Sequence, residues 1–203
     1  MKYRLAIDET GSFTMMEGDN SFVCGVAISN KEQTIIDKYK LCYEKFGLVP
    51  PASNDNKFLI SNETFHFSGL TKEKRDICRQ ELLPLVDKIY ISKSKPALYA
   101  NNQNWWLIAV MVVIFEFLKS ENFDKGDNVE VLIDNRSDKT LGLVEDGQNE
   151  QLKTEEQRYK EWREYHDVLK NQILANINKI AKAYGINIEI QFTSDTCSYF
   201  VNL

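Results

Sequence analysis

The chain contains five short apolar runs and four longer stretches of helical periodicity, and their order predicts an α/β fold. The apolar runs predict strands over Tyr3–Ile7, Phe22–Ile28, Ile89–Ile91, Val129–Ile133 and Ile186–Phe192. Apolar residues at three- and four-residue steps predict helices over Lys31–Phe46, Thr71–Lys88, Asn102–Lys119 and Thr154–Tyr184. An opening pair of strands followed by crossover helices predicts one mixed five-stranded sheet covered by helices.

Two details of this pattern predict where elements end. The run Ile186–Phe192 alternates strictly between apolar and polar residues, which is typical of an edge strand with one face in water. Pro84 lies near the end of the second predicted helix and is expected to kink it or shorten its last turn.

The composition is that of one globular domain over residues 1–203. Hydrophobic residues make up 43% and charged residues 27% of the chain, so a single sizeable core is expected. The polar, glycine-containing stretch 137–153 is expected to be a flexible insertion, and a last helix is expected to be cut short at residue 203. The net charge of −5 argues against a protein that coats nucleic acid indiscriminately, although a local basic surface remains compatible with it.

The cysteines are scattered, and none belongs to a Cys-x-x-Cys pair; they are Cys24, Cys42, Cys78 and Cys197. Because the chain has only two histidines, a closed zinc site is not expected. Reduced, buried thiols are typical of a cytoplasmic protein, and a chain that opens on a strand is not expected to carry a signal peptide. The most apolar run, Trp105–Phe115, is shorter than the roughly 20 residues that span a bilayer.

The first candidate for chemistry is the sequence Asp8-Glu9-Thr10-Gly11-Ser12, predicted to be a turn at the end of the first strand. Adjacent carboxylates repel each other and resist desolvation, so they favour a place where a cation neutralises them or where water reaches them. A solvated turn is the simpler alternative, because Asp, Gly and Ser are ordinary turn residues.

Two later strands are also followed by carboxylates. Asp134 ends the fourth predicted strand, and Asp195 follows the fifth. If these strands run parallel to the first, Asp8, Asp134 and Asp195 lie at one edge of the sheet, where ligands bind in folds of this kind. Carboxylate oxygens without His or Cys partners suit Mg²⁺ or Mn²⁺, and a two-metal arrangement can cleave a phosphodiester bond.

Asp8-Glu9-Thr10-Gly11 resembles the Asp-Glu-Ser-Gly signature of the family called domain of unknown function 3800, which has a ribonuclease H-like fold. Asp134-Asn135-Arg136 is similar to the Asp-x-Arg of that family, and Ser194–Leu203 resembles its closing segment. The resemblance implies that Asp8 and Asp134 lie on neighbouring central strands of a metal-dependent nuclease. Thr10 replaces the usual serine, and the closing Leu-Ala-Asp of the family, with its acidic ligand, has no counterpart before residue 203.

These observations lead to one set of assignments. Asp8 and Asp134 are predicted as primary metal ligands, and Asp195 as a further metal ligand. Asp195 and Glu9 are also predicted as secondary catalytic carboxylates. Arg136 and Ser12 are predicted to contact a nucleic-acid substrate, RNA or DNA, with Arg136 on its phosphate. The alternative is a non-catalytic binding or regulatory module that retains the fold.

Other residues fit a catalytic site less well. His66 and Glu63 are placed to act as a ligand or base, but a histidine between two phenylalanines is more often packed. His166 falls in the apolar stripe of the last helix, and Trp105 and Trp106 head the most apolar helix, so packing is expected for all three. Glu116 lies late on that helix and is a weak candidate.

Overall fold

A computed structural model describes residues 1–10, 21–46, 70–93, 102–134 and 155–193. The strands are β1 (Lys2–Thr10), β2 (Phe22–Ser29), β3 (Lys88–Ser92), β4 (Asn128–Asp134) and β5 (Asn187–Thr193). The helices are α1 (Glu32–Phe46), α2 (Lys72–Leu82), α3 (Asn102–Ser120) and α4 (Glu155–Tyr184), with a 3₁₀ turn at Leu83–Leu85.

The strands form one mixed sheet in the order β3-β2-β1-β4-β5. β2 is antiparallel to both β1 and β3, whereas β4 is parallel to both β1 and β5. An antiparallel meander therefore continues into parallel strands joined by crossover helices. The predicted mixed five-stranded sheet with helices on its faces is confirmed.

The sheet separates two hydrophobic cores. On one face, α3 and α4 cover alternate strand residues, among them Leu5, Ile7, Val131, Ile133 and Ile190. On the other face, Ala6, Val26, Ile28 and Leu132 pack with α1 and α2. We name these the α3–α4 face and the α1–α2 face. The period of two in each strand thus assigns every strand residue to one of two layers.

The edge position predicted for the last strand is confirmed. β5 pairs only with β4 within the described sheet. Ile190 is fully buried on the α3–α4 face, whereas its neighbours Glu189 and Gln191 are exposed on the opposite side. The alternation of apolar and polar residues therefore predicted both the strand and its solvent-exposed face. Gly185 ends α4 with a φ of 69°, a left-handed conformation that glycine adopts without a steric penalty.

The predicted turn at Asp8–Ser12 is wrong for its first three residues. β1 continues through Thr10, and the added residues pair with β2, with Asp8 opposite Cys24, Glu9 opposite Val23 and Thr10 opposite Phe22. The residue types were misleading because Asp and Glu favour turns only weakly against a ladder that a neighbouring strand already supplies. Asp8 and Glu9 therefore belong to the sheet.

The second predicted helix extends six residues too far at its carboxyl end. α2 begins after Thr71, whose hydroxyl oxygen accepts a hydrogen bond from the Lys74 backbone N–H at 3.4 Å, and it ends at Leu82. Pro84 lies in the 3₁₀ turn that follows, because proline has no N–H for the helical ladder. Asp87 then donates its N–H to the Ala27 carbonyl at 3.0 Å, and Lys88 begins β3.

Some predictions concern residues that the structure does not describe. The insertion at 137–153 and the last helix before residue 203 lie outside the described ranges. Across those ranges, none of the helices combines the length and the apolar character that crossing a membrane requires.

Helix α3 approaches the sheet closely at Gly25, a residue of β2 that pairs with Ile7 of β1. A Cβ at this position would overlap Cγ1 of Val113 and lie 3.2 Å from Cδ1 of Leu5. We expect Gly25→Ala to lower the free energy of unfolding by about 1–3 kcal/mol, measured by urea denaturation. In a Val113→Ala background the same substitution should cost clearly less, and an equal cost in both backgrounds would contradict the packing argument.

Asp127 anchors the amino end of the sheet. Its buried carboxylate accepts hydrogen bonds from the Met1 amino group and from the Asp124 N–H, and these contacts lower the pKa of Asp127 below 3.8. A lowered pKa stabilises the fold above the ordinary aspartate pKa, and this contribution disappears as the pH falls through the lowered value. Asp127→Asn should therefore reduce stability near neutral pH, with a difference from the parent that narrows below about pH 3.8. Urea denaturation at several pH values measures the free energy of unfolding of the parent and of Asp127→Asn. Asp124→Asn, at an exposed position, is the control. A difference in stability between the parent and Asp127→Asn that does not change with pH would refute the prediction.

Candidate metal site at the carboxyl edge of the sheet

The parallel strands β1, β4 and β5 end at one edge of the sheet, which we call the carboxyl edge. Ile7 pairs with Ile133, and Asp134 pairs with Thr193, so the three strands reach this edge in register. This confirms the parallel arrangement on which the sequence argument depended. In open α/β sheets this edge is where ligands bind.

Asp8 and Asp134 lie on the same face at this edge. Ala6 and Leu132 are partners in the β1–β4 ladder and both pack in the α1–α2 core. Side chains two residues further along a strand return to the same face, so Asp8 and Asp134 follow them there. Neighbouring strands are roughly 5 Å apart, a separation at which two carboxylates can share one cation.

A backbone N–H and a thiol lie next to the Asp8 carboxylate. Its Oδ1 accepts a hydrogen bond from the Glu9 N–H at 2.7 Å. Cys24 is its ladder partner on β2; burial raises the pKa of the Cys24 thiol, and the Asp8 charge raises it further. A thiolate is therefore disfavoured next to Asp8, which leaves the carboxylate as the anionic group at this position.

Glu9 points away from Asp8, onto the α3–α4 face. Its Oε2 accepts a hydrogen bond from the indole N–H of Trp106 at 2.9 Å, and Trp106 is a buried residue of the α3–α4 core. The strand pleat thus separates the two adjacent carboxylates. Asp8 is exposed, while Glu9 is partly buried.

Aromatic residues on the α3–α4 face surround the Glu9 contact. The Trp106 ring lies 6.4 Å from that of Phe192, near the end of β5, and Phe192 lies 4.7 Å from the ring of His166 on α4. His166 is buried, and Trp105 is fully buried. The expectation that Trp105, Trp106 and His166 pack in the core is confirmed, with the addition that Trp106 also binds a carboxylate.

The remaining predicted residues are only partly described. Asp195, Arg136, Ser12, Glu63 and His66 lie outside the described ranges. Glu116 is exposed on α3 and lies 3.2 Å from Nζ of Lys119, one helical turn away. Its position late on α3 is far along the helix from Trp106, so it does not join the carboxyl edge.

The donor set at the carboxyl edge fits a hard divalent cation. Asp8 and Asp134 offer carboxylate oxygens on one face, and Mg²⁺ needs only one or two such ligands because it retains water and binds substrate phosphate. Within the described residues, no group of three or more His, Cys, Asp and Glu side chains is arranged to hold a metal. A metal here would therefore depend on two described carboxylates together with water, substrate or residues outside the described ranges.

Sequence reasoning missed two contacts of this site. Cys24 gives no chemical signal in the sequence, because only the β1–β2 register places it beside Asp8. The contact of Trp106 with Glu9 joins residues 97 positions apart. A signal was present, since a buried tryptophan N–H needs an acceptor and the helix begins beside the carboxyl edge.

Comparisons with known proteins give limited similarity. No family model matches the sequence, and no curated protein sequence matches it. Among solved structures, a chain of the PCNA:RNase HII complex from Archaeoglobus fulgidus is similar, with a TM-score of 0.45 and 13% sequence identity. The similarity covers 98% of this chain and 67% of that chain.

The proximity of Asp8 and Cys24 can be tested through the thiol. Asp8→Asn removes the negative charge that raises the pKa of Cys24, so that pKa should fall and Cys24 should be alkylated faster at a given alkaline pH. The measurement is the pH profile of iodoacetamide labelling at Cys24, read by peptide mass spectrometry. Asp37→Asn, at an exposed position on α1, is the matched control, and an unchanged Cys24 profile in Asp8→Asn would contradict the contact.

Proposed function

We propose that this protein is a cytoplasmic, divalent-metal-dependent nuclease that cleaves phosphodiester bonds in RNA or DNA, and that it is a member of the domain of unknown function 3800 family. The observation that supports this most is the placement of Asp8 and Asp134 on one face, directly after the last paired residues of the parallel β1–β4 ladder. Carboxylates on one face of adjacent strands repel each other, and a bound cation relieves that repulsion, so the arrangement favours a metal.

In this proposal Asp8 and Asp134 hold Mg²⁺ or Mn²⁺, and Asp195 is a further ligand. The bound cation supplies Lewis-acid chemistry, polarising the phosphate and lowering the pKa of water. Arg136 follows Asp134 by two residues and is proposed to bind a non-bridging phosphate oxygen. Ser12 is proposed to donate its hydroxyl to the substrate, and Glu9 is a secondary carboxylate on the other side of β1.

In this proposal the divalent cation binds before the nucleic-acid substrate, for electrostatic reasons. A nucleic-acid phosphate is repelled by Asp8 and Asp134 as long as both are charged and no cation is bound. The net charge of −5 adds to that repulsion at low ionic strength. Both the affinity for the substrate and the rate of cleavage are therefore expected to depend on the divalent cation.

The proposal predicts that the protein cleaves nucleic acid only with a divalent metal, and that substitution of either Asp8 or Asp134 greatly reduces this cleavage. The parent protein should cleave RNA, DNA or a hybrid in the presence of Mn²⁺ and not in the presence of a chelator. Asp8→Asn and Asp134→Asn should each reduce the rate at least about 100-fold, because each removes a metal ligand. Asp167→Asn, on the exposed side of α4, should cleave like the parent.

Equal cleavage by the parent, Asp8→Asn and Asp134→Asn would overturn the assignment. A binding measurement separates this proposal from a non-catalytic module. A ligand of the native state adds about 2.7 kcal/mol of stability at 100-fold its Kd, so Mn²⁺ should raise the melting temperature of the parent but not that of Asp8→Asn. An unchanged melting temperature of the parent at millimolar Mn²⁺ would favour the non-catalytic alternative.

A further inference from the structure

A tryptophan from the hydrophobic core holds one of the acidic side chains at the carboxyl edge. Trp106 is 1% exposed, yet its indole N–H donates to Oε2 of Glu9 at 2.9 Å. Glu9 is the residue directly after Asp8, and its own N–H donates to Oδ1 of Asp8 at 2.7 Å. Trp106 is thereby connected to the proposed metal ligand through Glu9, whose side chain accepts one hydrogen bond and whose backbone N–H donates the other.

The indole ring itself is held rigidly. Trp106 lies on the first turns of α3, and its neighbours on the α3–α4 face include the ring of Phe192 from β5. Phe192 in turn packs edge-on against His166 of α4. A side chain so deeply buried has few accessible rotamers, and in this one its N–H is directed at Glu9.

A buried tryptophan N–H needs an acceptor, but that need does not require a carboxylate. A backbone carbonyl or a neutral side chain would satisfy it equally well. A carboxylate acceptor is different because the hydrogen bond is charge-assisted and immobilises a long side chain that otherwise samples many rotamers. The choice of Glu at the position after Asp8 therefore favours a role for the fixed carboxylate over a role for the N–H alone.

We propose that Trp106 is a positioning residue of the metal site, which fixes the Glu9 side chain and, through the Glu9 backbone, the Asp8 carboxylate. The inference rests on the proposed metal-dependent function. Trp106 is not proposed to touch the metal or the substrate. Its effect is on the geometry of the two acidic residues before any ligand binds, so metal affinity should depend on the indole N–H.

The chain offers a matched pair of substitutions for the test. Trp105 and Trp106 are adjacent and both buried, and each Trp→Phe change removes a similar ring volume and one N–H group. The Glu9 contact is made by Trp106. We expect Trp106→Phe to weaken Mn²⁺ binding about 10-fold or more, measured by calorimetry, and Trp105→Phe to change it less than about 3-fold. Equal weakening in both variants would overturn the inference.

A second readout does not depend on activity or on a foldable Trp106 variant. The chain has three tryptophans, so an ¹⁵N-labelled sample gives three indole N–H signals. Glu9→Ala should move the Trp106 signal more than the Trp105 signal in the absence of metal. Mg²⁺ should shift the Trp106 signal of the parent, and Asp8→Asn should abolish that shift.

The outcomes separate the two proposals. If the parent binds Mn²⁺ and the aspartate variants do not, but the Trp106 signal is insensitive to Glu9→Ala and to Mg²⁺, the positioning role is wrong and the metal site remains. If the parent binds neither Mn²⁺ nor Mg²⁺, the proposed function is wrong, and the positioning role is overturned with it.

Discussion

The parallel ladder between β1 and β4 is the constraint on which the rest of the structure depends. It joins the antiparallel meander β1-β2-β3 to the parallel strands β4 and β5. Its register places Ala6 beside Leu132 and Ile7 beside Ile133, so each face of the sheet presents one continuous apolar layer to its helices. A slip of one residue would turn both layers inside out, and it would also separate Asp8 from the face of Asp134.

The pleat of β1 changes the meaning of its adjacent carboxylates. The sequence predicts that repulsion between Asp8 and Glu9 favours a cation or access to water, but consecutive residues of a strand point to opposite faces. The Glu9 carboxylate accepts a hydrogen bond from the Trp106 N–H on the α3–α4 face, and Asp8 is exposed on the other face. The physical case for a metal therefore depends on Asp8 and Asp134, which share a face, and no longer on the Asp-Glu pair.

Much of the fold follows from the sequence, because hydrophobic periodicity is a local property of the chain. The strand Asn187–Thr193 and the helix Asn102–Ser120 each differ from their predicted bounds by one residue at most. Features that depend on contacts with distant segments of the chain could not be predicted from the sequence. β1 extends to Thr10 because β2 supplies a ladder there, and α2 stops at Leu82 because Pro84 and the pairing of Asp87 with Ala27 draw the chain toward β3. The contacts of Cys24 with Asp8 and of Trp106 with Glu9 likewise need the register or the packing of distant segments.

The two ends of the sheet meet different physical demands. At the amino end, Gly126 donates its N–H to the Gly185 carbonyl at 2.8 Å, Asn187 donates to Asp127 at 2.9 Å, and both glycines have positive φ. These backbone hydrogen bonds tie the short turns at this end together. At the carboxyl edge, by contrast, the proposed metal site requires carboxylates that are held in place and still reach water. In the proposal, the Trp106–Glu9 contact contributes to this positioning, because a buried residue of the core binds a side chain at the edge.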